Sequence, residues 1–325
     1  MSLMNTFFFF FLSCSLQLIS LSAADTILSK EPPVAIPQSH GGIDFLEVDQ
    51  QRSRLLIPHA GNVTLDVFET KSGKFLKFIP TGVAQDVAID PNGQKYYAAV
   101  SKEKQLVCID AKTLEVTDKI PLSGPADILA FDPKTDTAYI GHDDAAEVWA
   151  VDVHHKNSIA AIPIPEGPEG IVFDQERERV YANAKSGDVV VVINTSSKRV
   201  VATWPTAPAL KPHGSAFDSK SNRLFVAGGN GKLVAIDVTS GKVVSSANIV
   251  PRVDEIAYDT GRNRIYCASG AGILSVVDAT GALKFLGDIP THEGAHSVAV
   301  DQNTHGIWIA YSEGKAGPSF IQRLK

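Results

Sequence analysis

At 325 residues the chain is long enough for two average domains and can bury ample apolar surface without disulfides. Its formal net charge is −6, with both signs mixed along its length. No basic stripe runs through it, which excludes the electrostatic footprint that duplex nucleic acid requires.

The first 24 residues differ from the rest. Phe7 to Phe11 open an apolar stretch that continues to about Leu21 and is followed by Ser22-Ala23-Ala24. An apolar run ending in small residues reads as a signal peptide over 1–24, cut before Asp25. That leaves 25–325 as one domain with no transmembrane segment, secreted or periplasmic at the cell envelope. The opening Met-Ser-Leu-Met-Asn-Thr has no Lys or Arg, so an uncleaved anchor is the alternative. A lipoprotein at Cys14 fits less well, because the apolar run continues past it and Phe11 stands where Leu is expected.

A lead-in from Asp25 to Ser39 contains Pro32, Pro33 and Pro37 around a strand at Val34–Ile36. A ladder then begins: Asp49, Asp90, Asp132, Asp174, Asp218, Asp259 and Asp301, spaced 41, 42, 42, 44, 41 and 42 residues apart. Each ends a short apolar run, and seven copies at a steady period mean a repeat architecture. Each repeat carries four strand signals separated by turn residues. In the second these are Val87–Asp90, Tyr96–Val100, Gln105–Asp110 and Val116–Ile120, named A to D. Strand B has its own column of Leu56, Tyr97, Tyr139, Tyr181, Phe225, Tyr266 and Trp308. Strand C ends in Glu69, Asp110, Asp152, Asn194, Asp237, Asp278 and Gln322, short polar groups suited to starting a turn. No segment of the mature chain has helical periodicity.

Seven four-stranded antiparallel units predict an all-β, seven-bladed β-propeller. The seventh repeat ends at Lys325 without a strand D. The lead-in strand at Val34 is expected to supply it and close the ring, removing exposed edges. Cys108 and Cys267 fall in repeats 2 and 6, too far apart around a ring to bridge, and read as buried free thiols.

Five residues before each ladder Asp stands a second column: Asp44, Gln85, Asp127, Glu169, His213, Asp254 and His296. Strand A is the innermost strand of a blade and this is its entrance, so the seven positions predict a polar ring around one mouth of the channel. Oxygen and imidazole donors facing one axis suit a divalent cation (Ca, Mg or Zn), with Asp44, Asp127, Glu169 and Asp254 as candidate ligands, or a cationic ligand. A solvated mouth is the bland alternative. Antiparallel order puts His40, His59, His142, His213, His292 and His296 on the same face as the ring, and His154, His155 and His305 on the other. Across the closure His292, His296, Tyr311, His40, Asp44 and His59 are expected to cluster. No phosphate loop, His-Glu-x-x-His, Cys-x-x-Cys or nucleophile elbow is present.

Val298-Ala-Val-Asp301 followed by Trp308-Ile-Ala, Val180-Tyr-Ala-Asn183 before Val189–Asn194, and Leu224-Phe-Val-Ala with Leu233–Asp237 resemble the YVTN-repeat β-propellers, the YncE-like family. Gly41–Phe45 with Arg54–His59 is similar to its first blade, and the resemblance covers essentially residues 41–325. It implies an exported binding or scaffold protein, acting on an unknown protein or small-molecule ligand through the top face and channel mouth, and a monomer. It carries no shared catalytic motif. Relatives by fold include metal-dependent lactonases and streptogramin-type lyases. The alternative is therefore a metal-dependent lactonase, hydrolase or lyase, with His213 or His296 as general base.

Overall fold

A computed structural model describes residues 27–142 and 145–325, so the expected signal peptide, its cleavage site and Cys14 lie outside the described residues. Among the described residues are 28 strands and no helix. They form seven four-stranded antiparallel sheets, six of them in chain order from strand A to strand D. Blade 2 is representative, with A over Ala84–Ile89, B over Lys95–Val100, C over Gln105–Asp110 and D over Val116–Pro121. The seven-bladed propeller read from the repeat period is the observed fold.

The ladder carboxylates explain the sharpness of the inner turns. All seven are buried, and Oδ1 of each accepts the N–H two residues on, from Gln51, Asn92, Lys134, Glu176, Lys220, Gly261 and Asn303, at 2.9–3.1 Å. Several also serve the neighbouring strands. Tyr96 Oη donates to Asp49 Oδ2 at 2.6 Å, and Tyr181 Oη to Asp174 Oδ2 at 2.9 Å. Buried carboxylates are tolerable only with such donors. The strand C column works the same way in the open: Asp110, Asp152, Asn194, Asp237 and Asp278 accept N–H groups two or three residues on.

The strand B column is buried in every blade and sits in the layers between blades. Tyr97 packs against Phe131 of the next blade in a tilted pair, ring centroids 4.5 Å apart, and Phe225 against Tyr258 at 5.2 Å. Cys108 and Cys267 are free and buried, as expected. Burial pushes the Cys108 thiol up to about 11, so it stays protonated.

Ring closure also follows the expectation. Val34 pairs with Ile321 and Ala35 with Phe320, antiparallel, so the lead-in strand is strand D of blade 7. Lys30 bridges to Leu324, and Ser29 and Lys325 exchange backbone hydrogen bonds of 2.8 and 2.9 Å. Among the described residues no helix is long and apolar enough to cross a membrane.

Asp174→Ala strips the acceptor from the Glu176 and Arg177 amides, the Arg177 guanidinium and Tyr181 Oη. It is expected to destabilise the fold by about 2–4 kcal/mol in urea unfolding, since buried donors left unpaired cost about 1–3 kcal/mol each. The solvent-facing Asp237→Ala is expected to change the midpoint much less; equal losses would remove the burial argument.

Candidate functional site

The polar column at the entrance to strand A is the candidate site, and the structure joins most of it into one arc. Lys185 Nζ stands 2.7 Å from Glu169 Oε1. Glu169 Oε2 lies 2.8 Å from His213 Nε2. His213 Nδ1 lies 2.9 Å from Asp254 Oδ1, and Asp254 Oδ2 lies 2.7 Å from His296 Nδ1. The chain of contacts crosses blades 4, 5, 6 and 7, and Asp44 of blade 1 feels the charge of His296 beyond its end.

Two local features produce this spacing. In blades 2, 4, 5 and 6 the A–B ladder carries a bulge where the chain enters strand A, within Ala84–Asp86, Pro168–Ile171, Pro212–Ser215 and Val253–Ile256. Bulges re-aim side chains, and these hold Gln85, Glu169, His213 and Asp254. The second feature is glycine. A Cβ at Gly170 would run into the His213 carbonyl, and one at Gly214 would stand 2.6 Å from the Asp254 carbonyl. Inner strands of blades 4, 5 and 6 therefore meet backbone to backbone, which sets their side chains at hydrogen-bonding distance.

The electrostatics follow from the alternation of signs. Burial alone would lower the His213 pKa, but hydrogen bonds to Asp254 and Glu169 overcome it and push it up to about 10. Burial likewise opposes protonation of His296, and Asp254, then Asp44, raise it. Burial would raise Asp254, yet its two histidines hold it well below the usual carboxylate range, and His213 and Lys185 lower Glu169 against the same penalty. Asp44 goes the other way: burial holds its carboxyl well above the usual range, with His296 only partly compensating.

The remaining expected residues are placed separately. Gln85 accepts Phe45 N–H through its carbonyl at 3.2 Å, and Asp127 N–H donates to the Gly141 carbonyl at 3.0 Å. His142 stacks on Trp149, centroids 3.8 Å apart, with Glu147 Oε1 3.7 Å from its Nε2. His292 stacks on Tyr311 at 4.2 Å, and Tyr311 stacks on Phe320. His40 is exposed, its N–H donating to Asn62 Oδ1 at 3.0 Å. So the expected group across the closure is divided: His292 pairs with Tyr311, His296 joins the arc, and His59 turns into the protein. His305, as expected, lies at the opposite end of the inner strands, 2.9 Å from ladder residue Asp259.

His59 forms an arrangement that sequence reasoning did not foresee. Its Nδ1 lies 2.7 Å from Asp66 Oδ2, and its Nε2 lies 3.2 Å from Ser319 Oγ. A Ser–His–Asp line of this kind serves nucleophilic catalysis where substrate can reach it. Here all three residues are 0% exposed, and Ser319 Oγ also donates to the Gly41 carbonyl at 3.2 Å. It is a polar latch that ties blade 1 to the last strand and the lead-in.

Three carboxylates deeper in the channel were also missed. Glu255 Oε2 accepts N–H from Val298 at 2.8 Å and from Leu46 at 3.2 Å, joining blades 6, 7 and 1. Asp86 accepts from Leu129 of blade 3 at 2.8 Å. Glu47 accepts its neighbour Val48 N–H at 2.9 Å and keeps solvent contact along the channel. All three line a central cavity of ≈ 600 Å³. Burial, then mutual repulsion, raises Glu47 to about 7 and Glu255 well above the ordinary range, while burial raises Asp86 to about 6. Sequence position one after the ring column (Phe45, Asp86, Ile128, Gly170, Gly214, Glu255, Ser297) held the Asp86 and Glu255 signal and the glycine signal together, with Glu47 outside it. Among the described residues no group of three or more His, Cys, Asp or Glu is disposed to hold a metal ion. Asp44, Asp127, Glu169 and Asp254 are thus not brought together as one ligand set, because Glu169 and Asp254 are turned onto histidines.

Comparison with known proteins places this geometry. The uncharacterized protein YncE of Salmonella typhimurium (strain LT2) is 22% identical over 146 residues, 43% of this chain and 41% of the relative. The chain is a seven-bladed propeller that resembles YncE over that stretch. The match spans less than half of that relative's length, and no family profile matches the sequence. Among solved structures, a chain of the mitotic checkpoint complex aligns over 98% of this chain and 99% of its own, with TM-score 0.76 and 13% identity. The WD40 repeats of RRP9 align over 91% and 100%, with TM-score 0.77 and 12% identity. Hydrazine synthase of Kuenenia stuttgartiensis aligns over 85% and 94%, with TM-score 0.73 and 14% identity. At these identities the likeness is one of fold.

The titrating groups predict a stability maximum at mildly acidic pH. The channel acids have raised pKa values, so between about pH 4 and 7 the native state holds protons that the unfolded chain has released, and stability falls as pH rises through that window. His213 and His296 add stability that is complete below the ordinary imidazole value and is lost as pH rises toward about 10. Glu169 and Asp254 add stability present above the ordinary carboxylate values and lost below them. Tm is therefore expected to peak at mildly acidic pH and fall steadily from pH 5.5 to 8.5, with a shallower slope in Asp86→Asn. A Tm that is flat or rises over that interval would contradict this account.

Proposed function

We propose that the protein is an exported binding propeller that takes a small-molecule ligand or a protein partner across its top face. The observation that carries this reading is the arc from Lys185 to His296: five alternating charges, held at 2.7–2.9 Å, at the one mouth where strand entrances converge. Such an array is preorganised, so a ligand meets fixed charges and need not order them. Fold-level analogy supports a protein partner, since one similar fold is a component of the mitotic checkpoint complex. A divalent cation is a less supported element, because a metal would have to displace histidines from Glu169 and Asp254. The metal-dependent lactonase, hydrolase or lyase alternative meets the same obstacle.

A thermal-shift screen of the purified protein against a metabolite library tests the reading. Compounds that bind the native state must raise Tm. Hits are expected to act on the wild type and on the bottom-face variant His155→Ala, and to lose their effect in Asp254→Asn. Hits that survive Asp254→Asn would place the site elsewhere. Export is tested by intact mass of the protein recovered outside the cytoplasm, expected to begin at Asp25; a membrane-bound form retaining residues 1–24 would replace it with the anchor alternative.

A further inference from the structure

Immediately outside the arc, between blades 5 and 6, lies a cleft of ≈ 420 Å³ lined by Lys185, Lys211, Arg252, His213, Asp254 and His296. Its size lies within the range of small-ligand sites, about 300–1,000 Å³. Lys211 and Arg252 stand two residues before His213 and Asp254, at equivalent points of consecutive blades. The same position elsewhere holds Gly42, Val83, Pro125, Gly167 and Gly294, so the two cations belong to this cleft alone. Both have left-handed backbone, φ 53° and 62°, which is uncommon for residues other than glycine. Both side chains are exposed, and neither has an ion-pair partner among the described residues. Of the carboxylates nearby, Asp254 and Glu169 are already paired with histidines and Lys185, and Asp188 Oδ1 accepts the Lys211 backbone N–H at 2.6 Å. The cleft is therefore an excess of positive charge on a chain whose net charge is −6.

Glycines make the room. The residue after strand B is Ala60, Ser101, His142, Lys185 and Glu313 in five blades, but Gly229 and Gly270 in blades 5 and 6. A Cβ on Gly270 would stand 3.9 Å from both Arg252 Nη2 and His296 Cβ, so a longer side chain there would fill the space between them. Gly294, on the far wall, has nothing within 4 Å of where its Cβ would be.

We propose that this cleft binds a small anion, a molecule carrying a carboxylate or phosphate group, with Lys211 and the Arg252 guanidinium as its principal contacts. This rests on the top-face reading and narrows it. A guanidinium fork matches either group bidentately, and an ammonium beside it adds a movable point charge. The glycine wall lets the anion approach past Arg252 to the His296 side of the arc.

Isothermal titration calorimetry on the purified protein tests this, with inorganic phosphate and citrate as probes and spermidine as a cationic control. Saturable binding of at least one anion is expected, weakening as salt rises, with none for spermidine. Lys211→Ala/Arg252→Ala is expected to weaken it at least tenfold. Gly270→Leu removes no charge and is expected to do the same by occlusion. Lys242→Ala/Lys284→Ala on the outer strands is expected to bind as the wild type does, and an unchanged Tm certifies folding of each variant. Absence of saturable anion binding, or wild-type affinity in both cleft variants, overturns the proposal. The screen hits separate the two failures. A hit lost in Asp254→Asn but kept in Lys211→Ala/Arg252→Ala sinks the anion assignment alone, whereas a hit kept in both sinks the top-face reading with it.

Discussion

Inner strands of blades 4, 5 and 6 approach so closely that Gly170 and Gly214 cannot carry a side chain, and the polar arc depends on that approach. Were either replaced by alanine, the His213 or Asp254 carbonyl would have to move, and the ring side chains would separate with it. Ion pairs of 2.7–2.9 Å between residues of different blades tolerate little separation. The electrostatic state of the site is thus a consequence of packing near the axis. His213 is protonated because two carboxylates are held against it, and they are held there because the strands have nothing between them.

Cohesion along the axis is polar where cohesion between blades is apolar. Tyr97, Phe225 and the rest of the strand B column fill the interblade layers. Toward the channel the strands turn polar groups inward, and bare N–H groups of one strand A face the next. Glu255 answers two of them, from Leu46 and Val298, and Asp86 answers Leu129. Each is a buried acid with a raised pKa, which is destabilising for the charged form taken alone. The blade-to-blade hydrogen bonds are what such residues return, since an amide left unpaired at these positions has its own penalty. The latch of His59, Asp66 and Ser319 does the same at the seam between the first and last blades.

Much of this was legible in the sequence, and the exceptions have physical reasons. A period near 42 reports blade number directly, because every blade is the same supersecondary unit. Ladder aspartates were legible as turn formers, because an Asx turn needs only the residue and its next two neighbours. Closure by Val34–Ala35 followed from counting strands in the last repeat. The ring column was also found, but not which members would touch. That depends on bulges at Pro168–Ile171, Pro212–Ser215 and Val253–Ile256, and a bulge is a departure from the alternation by which strands are read. His59 was assigned to the open mouth since its strand ends there. Only the tertiary pairing with Asp66 and Ser319 turns it inward. That Glu169 and Asp254 turn onto histidines has a reason visible in hindsight: carboxylates alternating with histidines around a tight ring neutralise one another first.

That neutralisation moves the interest of the mouth outward. Inside the arc, Glu169, His213, Asp254 and His296 satisfy each other, and a ligand gains little by replacing a partner already at hydrogen-bonding distance. One step out, Lys211 and Arg252 have no such partner, and the surface beside them is bare glycine. The arc then acts as a rigid backing for the cleft. Both Asp254 oxygens are engaged by histidines, and no ion pair joins Asp254 to Arg252 among the described residues. If Asp254 were free to turn, the nearest counter-ion for the guanidinium would be supplied from within the protein, and the cleft would lose the charge that distinguishes it from the rest of an acidic chain.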